Sequence, residues 1–156
     1  MRTLSRREEE TKSEATAILV ADTDLFFFYL KGGKYEIEAR EIIRRASSGL
    51  TEIRASSEVY DDAISALRSD NIALETIHEF ISKMKSIPHK ALPMSAEVAE
   101  DALKMYIEHG GRRKLGYFDS FHVATAKRYS LPLLTSDAYM INHAKELGIT
   151  AINLGG

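Results

Sequence analysis

"ILVADTDLFFFYL", residues 18–30, decides how the chain is read. The apolar run Ile18-Leu19-Val20 stops at two aspartates, Asp22 and Asp24, and apolar and aromatic residues then resume at once. The run has the composition of a buried strand. "TDLFFFYLK" predicts a helix ended by Gly32-Gly33. Two carboxylates wedged between greasy segments repel each other, and burying either one unpaired is costly, so something cationic belongs at this strand end. Phe26, Phe27, Phe28 and Tyr29 point around the helix and cannot share one exposed face, so they are read as core and subunit packing rather than a base-stacking platform.

Outward from this stretch the same alternation continues. "KYEIEAREIIRRASS" predicts an amphipathic helix closed by Gly49, "LTEIRAS" a second strand, and "SEVYDDAISALRS" and "NIALETIHEFISKMKS" two helices. A short extended piece around "HKALPM" precedes the helix "SAEVAEDALKMYIEHG", for which Ser95 is the expected cap. A basic loop, the helix "FDSFHVATAKRYS", the strand "LPLLTS", the helix "DAYMINHAKELG" and the strand "ITAINL" complete the chain. Strands alternating with crossovers of this length predict an α/β fold, a parallel sheet with helices on both faces. Residues 1–16 are mostly polar and of mixed charge and are expected to form a tail, leaving one domain over 17–156.

A chain of 156 residues is long enough to bury roughly 70% of its unfolded surface in one domain. It contains no cysteine, which excludes a disulfide framework, thiolate metal sites and a cysteine nucleophile and fits a reducing cytoplasm. No segment reaches the roughly 20 apolar residues of a membrane span, and no apolar signal core opens the chain. With 21 basic and 23 acidic residues the net charge is −2, so a polyanion partner has to be held locally. The local candidate is "GGRRKLGYFD", where Arg112, Arg113 and Lys114 precede Asp119.

Four acids share one kind of address. Asp22 follows the first strand and Asp137 the fourth; Glu58 lies in the first turn of the helix after the second strand, and Asp119 opens the helix that feeds the fourth. In an open parallel sheet ligands bind outside the carboxyl ends of the strands. Helix capping alone explains any one of these acids, but it does not require hydroxyl-flanked acids such as Asp22-Thr23-Asp24 and Thr135-Ser136-Asp137 to follow apolar strands. Clustered carboxylates must raise their pKa values, separate or bind a cation, and an all-oxygen donor set suits Mg2+ or Mn2+. Such an ion orients a water and neutralises charge growing on a phosphodiester. The five histidines show no paired zinc spacing.

The motifs "ILVADTDLFFFYL", "ASSEVYDDAISAL", "FDSFHVATAKRY" and "PLLTSDAYM", in that order and followed by "ITAINL", resemble a PIN domain, the fold of many metal-dependent ribonucleases including VapC-type toxins of toxin-antitoxin pairs. The resemblance runs from about Ile18 to Leu154. It implies a three-layer α/β/α domain with a five-stranded parallel sheet in the order 3-2-1-4-5. It also implies Asp22, Glu58, Asp119 and Asp137 as metal-binding catalytic acids, with Thr135 as their polar neighbour. RNA as substrate and an antitoxin protein as partner enter on the same ground. Asp24, Asp61 and Asp62 depart from the family pattern, as does His122 one turn after Asp119; Asp62 is read as a solvated helix acid.

Two rivals accompany this reading. A haloacid-dehalogenase-like phosphatase would use Asp22 as nucleophile and Asp24 as acid, but it lacks the later Gly-Asp motif and the small residues expected after the pair. A PIN-like binding module without cleavage is the other. The sequence therefore predicts a cytoplasmic Mg2+- or Mn2+-dependent endoribonuclease acting on single-stranded RNA, with Arg112, Arg113 and Lys114 on the RNA backbone. A homodimer through the apolar faces of "LFFFYL" and "EIIRRASS" is expected as well.

Overall fold

The computed structural model describes residues 16–156; the charged segment before them, expected as a tail, lies outside the described residues. Five strands, β1 (Ala17–Ala21), β2 (Thr51–Ser56), β3 (Lys90–Leu92), β4 (Leu133–Thr135) and β5 (Ala151–Asn153), form one parallel sheet in the order β3-β2-β1-β4-β5. The chain reverses its direction of growth between β3 and β4, and β1 sits centrally between β2 and β4.

Alternation along the central strand sorts side chains onto two faces. Leu19 and Ala21 join Ile53, Ala55 and Leu134 in a core covered by α1 (Thr23–Lys31), α2 (Glu36–Ser47), α3 (Val59–Ser69) and α4 (Leu74–Ser86). Val20 faces the other way, with Leu92 and Leu133, against α5 (Ala96–His109), α6 (Tyr117–Arg128), α7 (Ala138–Asn142) and α8 (Ala144–Leu147). The three-layer architecture is thus the predicted one. Among the described residues no helix is long and apolar enough to cross a membrane.

The stretch that opened the reading behaves as its chemistry requires. Asp22 caps α1, and Gly32, at φ 76°, ends it by returning its N–H to the Phe28 carbonyl at 3.1 Å. Leu25 and Phe26 are fully buried; Phe27, Phe28, Tyr29 and Leu30 are partly buried against the same core. The aromatics therefore seat the helix.

Helices α1, α3 and α7 directly follow strands and so begin at the sheet's carboxyl edge, and α6 brings Asp119 to the same edge. The starts of α1, α3, α6 and α7 gather there, each carrying an acid within its first turn or at its cap.

Candidate metal centre

Asp22 is the most enclosed of the acids, with 2% of its surface exposed. Its Oδ1 accepts the Asp24 N–H at 3.0 Å and its Oδ2 accepts the Thr135 hydroxyl at 2.5 Å. Burial drives its pKa well above the ordinary aspartate value, and the negative charges of Asp24 and Asp119 add to the rise against the two hydrogen bonds. The same Thr135 hydroxyl oxygen accepts the Asp137 N–H at 3.0 Å, and Asp137 caps α7 through the Met140 N–H at 3.0 Å. One buried threonine thereby joins the ends of β1 and β4. Asp24 reaches across the same gap, its Oδ2 accepting the Ser136 hydroxyl and, at 3.3 Å, the Ser136 N–H.

Asp119 was expected to open and cap its helix. Gly116 takes the cap position instead, leaving Asp119 in the first turn, where its carboxyl accepts no hydrogen bond from the described residues. A Cβ at residue 116 would stand 2.8 Å from Asp119 Oδ2, so the glycine leaves room for this carboxyl to fold back over the helix start. The Asp119 pKa rises to about 6, mostly through burial; Asp62, Asp137 and Asp24 push it up and His122 opposes them. A folded acid that keeps its proton to about pH 6, when the unfolded chain releases it near 4, makes the folded state the better proton binder across that window. Stability of the metal-free protein is therefore expected to be greatest below the window and to fall as pH rises through it, by on the order of 3 kcal/mol from this group. Thermal midpoints measured with chelator between pH 4 and pH 7 check the sign: a rising midpoint across that range would contradict it.

The acid that α3 contributes to this cluster is Asp62. One oxygen from each of Asp62 and Asp119 and a ring nitrogen of His122 lie within 4.8 Å of one another. Asp62 Oδ2 accepts the Thr23 hydroxyl and contacts His122 Nε2 at 2.9 Å, so it is not the solvated helix acid that was expected. Glu58 precedes α3 at the same sheet edge, its N–H bonded to the Ser56 hydroxyl at 3.1 Å, and it is not among the charges that act most on Asp22 or Asp119. The register of α3 explains the difference. Val59, Ala63 and Leu67 mark its buried stripe, and at roughly 100° per residue Asp62 lies about 100° from the stripe's centre while Glu58 lies about 140° away. That periodicity was present in the sequence, and it favours Asp62. His122 carried a signal too, as a polar residue in the seven-residue buried run Ser120–Ala126 of α6.

The structure thus brings Asp22, Asp24, Asp62, Asp119 and Asp137 into mutual electrostatic reach. Among the described residues, the ion pairs of Lys and Arg are Arg40–Glu36, Arg44–Glu41, Arg54–Glu52 and Arg128–Glu97, none of them at the cluster. Buried carboxylates with raised pKa values and no arginine or lysine partner fit a hard divalent cation held by oxygens. Arg112, Arg113 and Lys114 are exposed in the loop between α5 and α6, with Arg113 at φ 62° and the Lys114 N–H closing a turn onto the Gly111 carbonyl at 3.1 Å.

Fold and cluster together define an α/β/α domain with a cluster of acids at the carboxyl edge of its sheet. The model of the PIN domain family matches residues 19–147, and the chain belongs to that family. Similar solved structures include VapBC2 from Rickettsia felis bound to a DNA fragment from its promoter, at 16% identity over 87% of this chain and 98% of that one, with a TM-score of 0.61. VapBC-1 from nontypeable Haemophilus influenzae shares 14% identity over 89% and 99% of the two chains, with a TM-score of 0.61. FitAcB from Neisseria gonorrhoeae shares 16% over 87% and 97%, with a TM-score of 0.56. At these identities the likeness is one of fold. No curated protein sequence matches the chain.

Proposed function

We propose that the chain is a divalent-cation-dependent endoribonuclease that cuts single-stranded RNA by water attack. The observation that carries this reading is the cluster of one buried and several half-buried carboxylates that no lysine or arginine of the described residues neutralises. Asp22, Asp62, Asp119 and Asp137 would hold Mg2+ or Mn2+. When bound, the ion lowers the pKa of a coordinated water and offsets charge that builds on the scissile phosphodiester. Thr135 and the Asp24 N–H fix the two Asp22 oxygens, Gly116 leaves space for Asp119, and Asp24 anchors Ser136 beside them. Sequence resemblance gave Glu58 the α3 role; the register and the contacts of Asp62 favour Asp62.

RNA as substrate rests on family membership, since the described residues include no group committed to a ribose hydroxyl. The resemblance of the motifs to VapC-type toxins, together with the fold shared with the VapBC and FitAcB structures, supports a toxin role with an antitoxin partner for this chain. Self-association through α1 and α2 belongs to the same proposal, and Ile37 on α2 is 80% exposed. The phosphatase alternative loses support because the chain belongs to the PIN domain family. Incubation with single-stranded RNA and DNA, with chelator and with added Mg2+ or Mn2+, tests the proposal. Cleavage of RNA that stops with chelator and returns with metal is the expected outcome; cleavage indifferent to chelator would defeat it.

Replacing Arg112, Arg113 and Lys114 together by neutral residues is expected to weaken binding of all RNA sequences similarly. The slope of log affinity against log salt should shrink by about 0.7 for each phosphate contact removed. Filter binding at several salt concentrations measures both quantities; an unchanged slope would make the loop a solvated turn.

A further inference from the structure

We infer that His122 is a positioning residue that aims the Asp62 carboxylate at the cation site, an inference that rests on the proposed cation-dependent nuclease. Helix α6 buries seven consecutive residues, and two of its three polar ones are satisfied within the helix: Ser120 donates to the Tyr117 carbonyl at 2.5 Å and Thr125 to the Phe121 carbonyl at 2.8 Å. His122 reaches outside instead. Its Nε2 lies 2.9 Å from Asp62 Oδ2 and 3.2 Å from Thr23 Oγ1, and the Thr23 hydroxyl donates to the same Asp62 oxygen. An ionised carboxylate only accepts, so Nε2 carries the proton, and with its hydrogen given to Asp62 the Thr23 oxygen turns a lone pair toward the ring. A nitrogen that donates a proton there has no lone pair left for a cation. Nε2 is therefore the partner of a ligand and not itself a ligand atom.

The other ring nitrogen shows that this histidine is not a packing choice. Nδ1 is buried with no hydrogen-bond partner among the described residues, in a side chain that is 0% exposed. An unsatisfied buried polar atom destabilises the fold, and a leucine in that position would incur no such cost. What the histidine supplies is the Nε2 contact. Through it α1, α3 and α6 meet at one oxygen: Thr23 directly follows Asp22, and Asp119 lies one turn before His122. Two donors fix Oδ2, while Oδ1 accepts no hydrogen bond from the described residues and is left for a ligand. Without this joint the Asp62 and Asp119 carboxylates, which raise each other's energy, are free to turn apart.

Outer partners of ligating side chains typically change metal affinity by about 10- to 100-fold. Mn2+ titration of the full chain followed by calorimetry, with thermal midpoints in chelator, is the test. His122→Leu is expected to bind Mn2+ about 10- to 100-fold more weakly while unfolding near the wild-type temperature, and His122→Gln, which places an N–H donor near the Nε2 position, is expected to recover most of the affinity. Thr23→Val, removing the second donor, should lose affinity in the same direction and keeps the test decisive should the leucine variant fail to fold. Wild-type-like affinity in His122→Leu, or equal losses in the leucine and glutamine variants, would overturn the inference. So would nitrogen-14 couplings from a directly bound imidazole in pulsed EPR of the Mn2+-loaded wild type. A wild-type chain that binds no Mn2+ at all would remove the cation-dependent reading itself, an outcome distinct from normal wild-type binding with an indifferent His122.

Discussion

In Asp119→Asn protein, cation affinity and RNA cleavage are expected to fall together, by more than the roughly 100-fold that marks the loss of an outer partner, while the fold keeps its stability. The carboxyl of Asp119 caps nothing and accepts no hydrogen bond from the described residues, so asparagine forfeits no structural contact there. Folding raises its pKa to about 6, which means that at neutral pH the ionised side chain opposes the folded state. Asparagine removes that opposition, and the metal-free variant should unfold at or above the wild-type temperature. Excess Mn2+ should restore part of the rate by mass action, a rescue that no misfolded protein shows. Asp70→Asn, at the exposed end of α3, serves as the control and should change neither property. Cleavage rates beside thermal unfolding decide the matter: an Asp119→Asn enzyme of undiminished activity would return this acid to a passive place in the first helical turn.

The second large effect separates the two acids of α3. Asp62→Asn retains a carbonyl oxygen that can accept from Thr23 and His122, so packing between α1, α3 and α6 should survive, but the charge a hard cation needs is gone. Mn2+ affinity and cleavage are expected to drop by at least about 100-fold, as for Asp119. Glu58→Gln should change either quantity little, because Glu58 is turned further from the buried stripe of its helix and is not among the charges that act most on Asp119. The reverse pattern, with Glu58→Gln inactive and Asp62→Asn normal, would restore the assignment that the sequence resemblance suggested.

Much of the architecture was legible where a local signal was strong. Helix α1 occupies the predicted Thr23–Lys31 because an aspartate cap and a glycine stop bracket an apolar run. Ser95 caps α5 as expected, its hydroxyl accepting the Val98 N–H at 3.2 Å. The single helix read in "DAYMINHAKELG" is instead two short ones, broken at His143, whose φ of −115° and ψ of 19° leave the helical basin. Nothing in the residue types there announces a break.

At the site, topology brings Asp22, Glu58 and Asp137 to one sheet edge, and Asp119 comes within electrostatic reach of Asp22 and Asp137 from the start of α6. Asp62 and His122 escaped the reading for a different reason. They are 60 residues apart, and their contact exists only once α3 and α6 pack beside α1. An acid near the boundary of a buried stripe looks solvated until the neighbouring helix is in place.

The most direct test of the central claim is a calorimetric titration of the chelator-treated 156-residue chain with Mn2+ near neutral pH, repeated with Asp22→Asn. Saturable binding that EDTA reverses, and that the Asp22 substitution abolishes or greatly weakens, is the predicted result. Absence of saturable binding up to millimolar Mn2+, or binding of equal strength in the Asp22→Asn protein, would contradict the assignment of this carboxylate cluster as a metal centre.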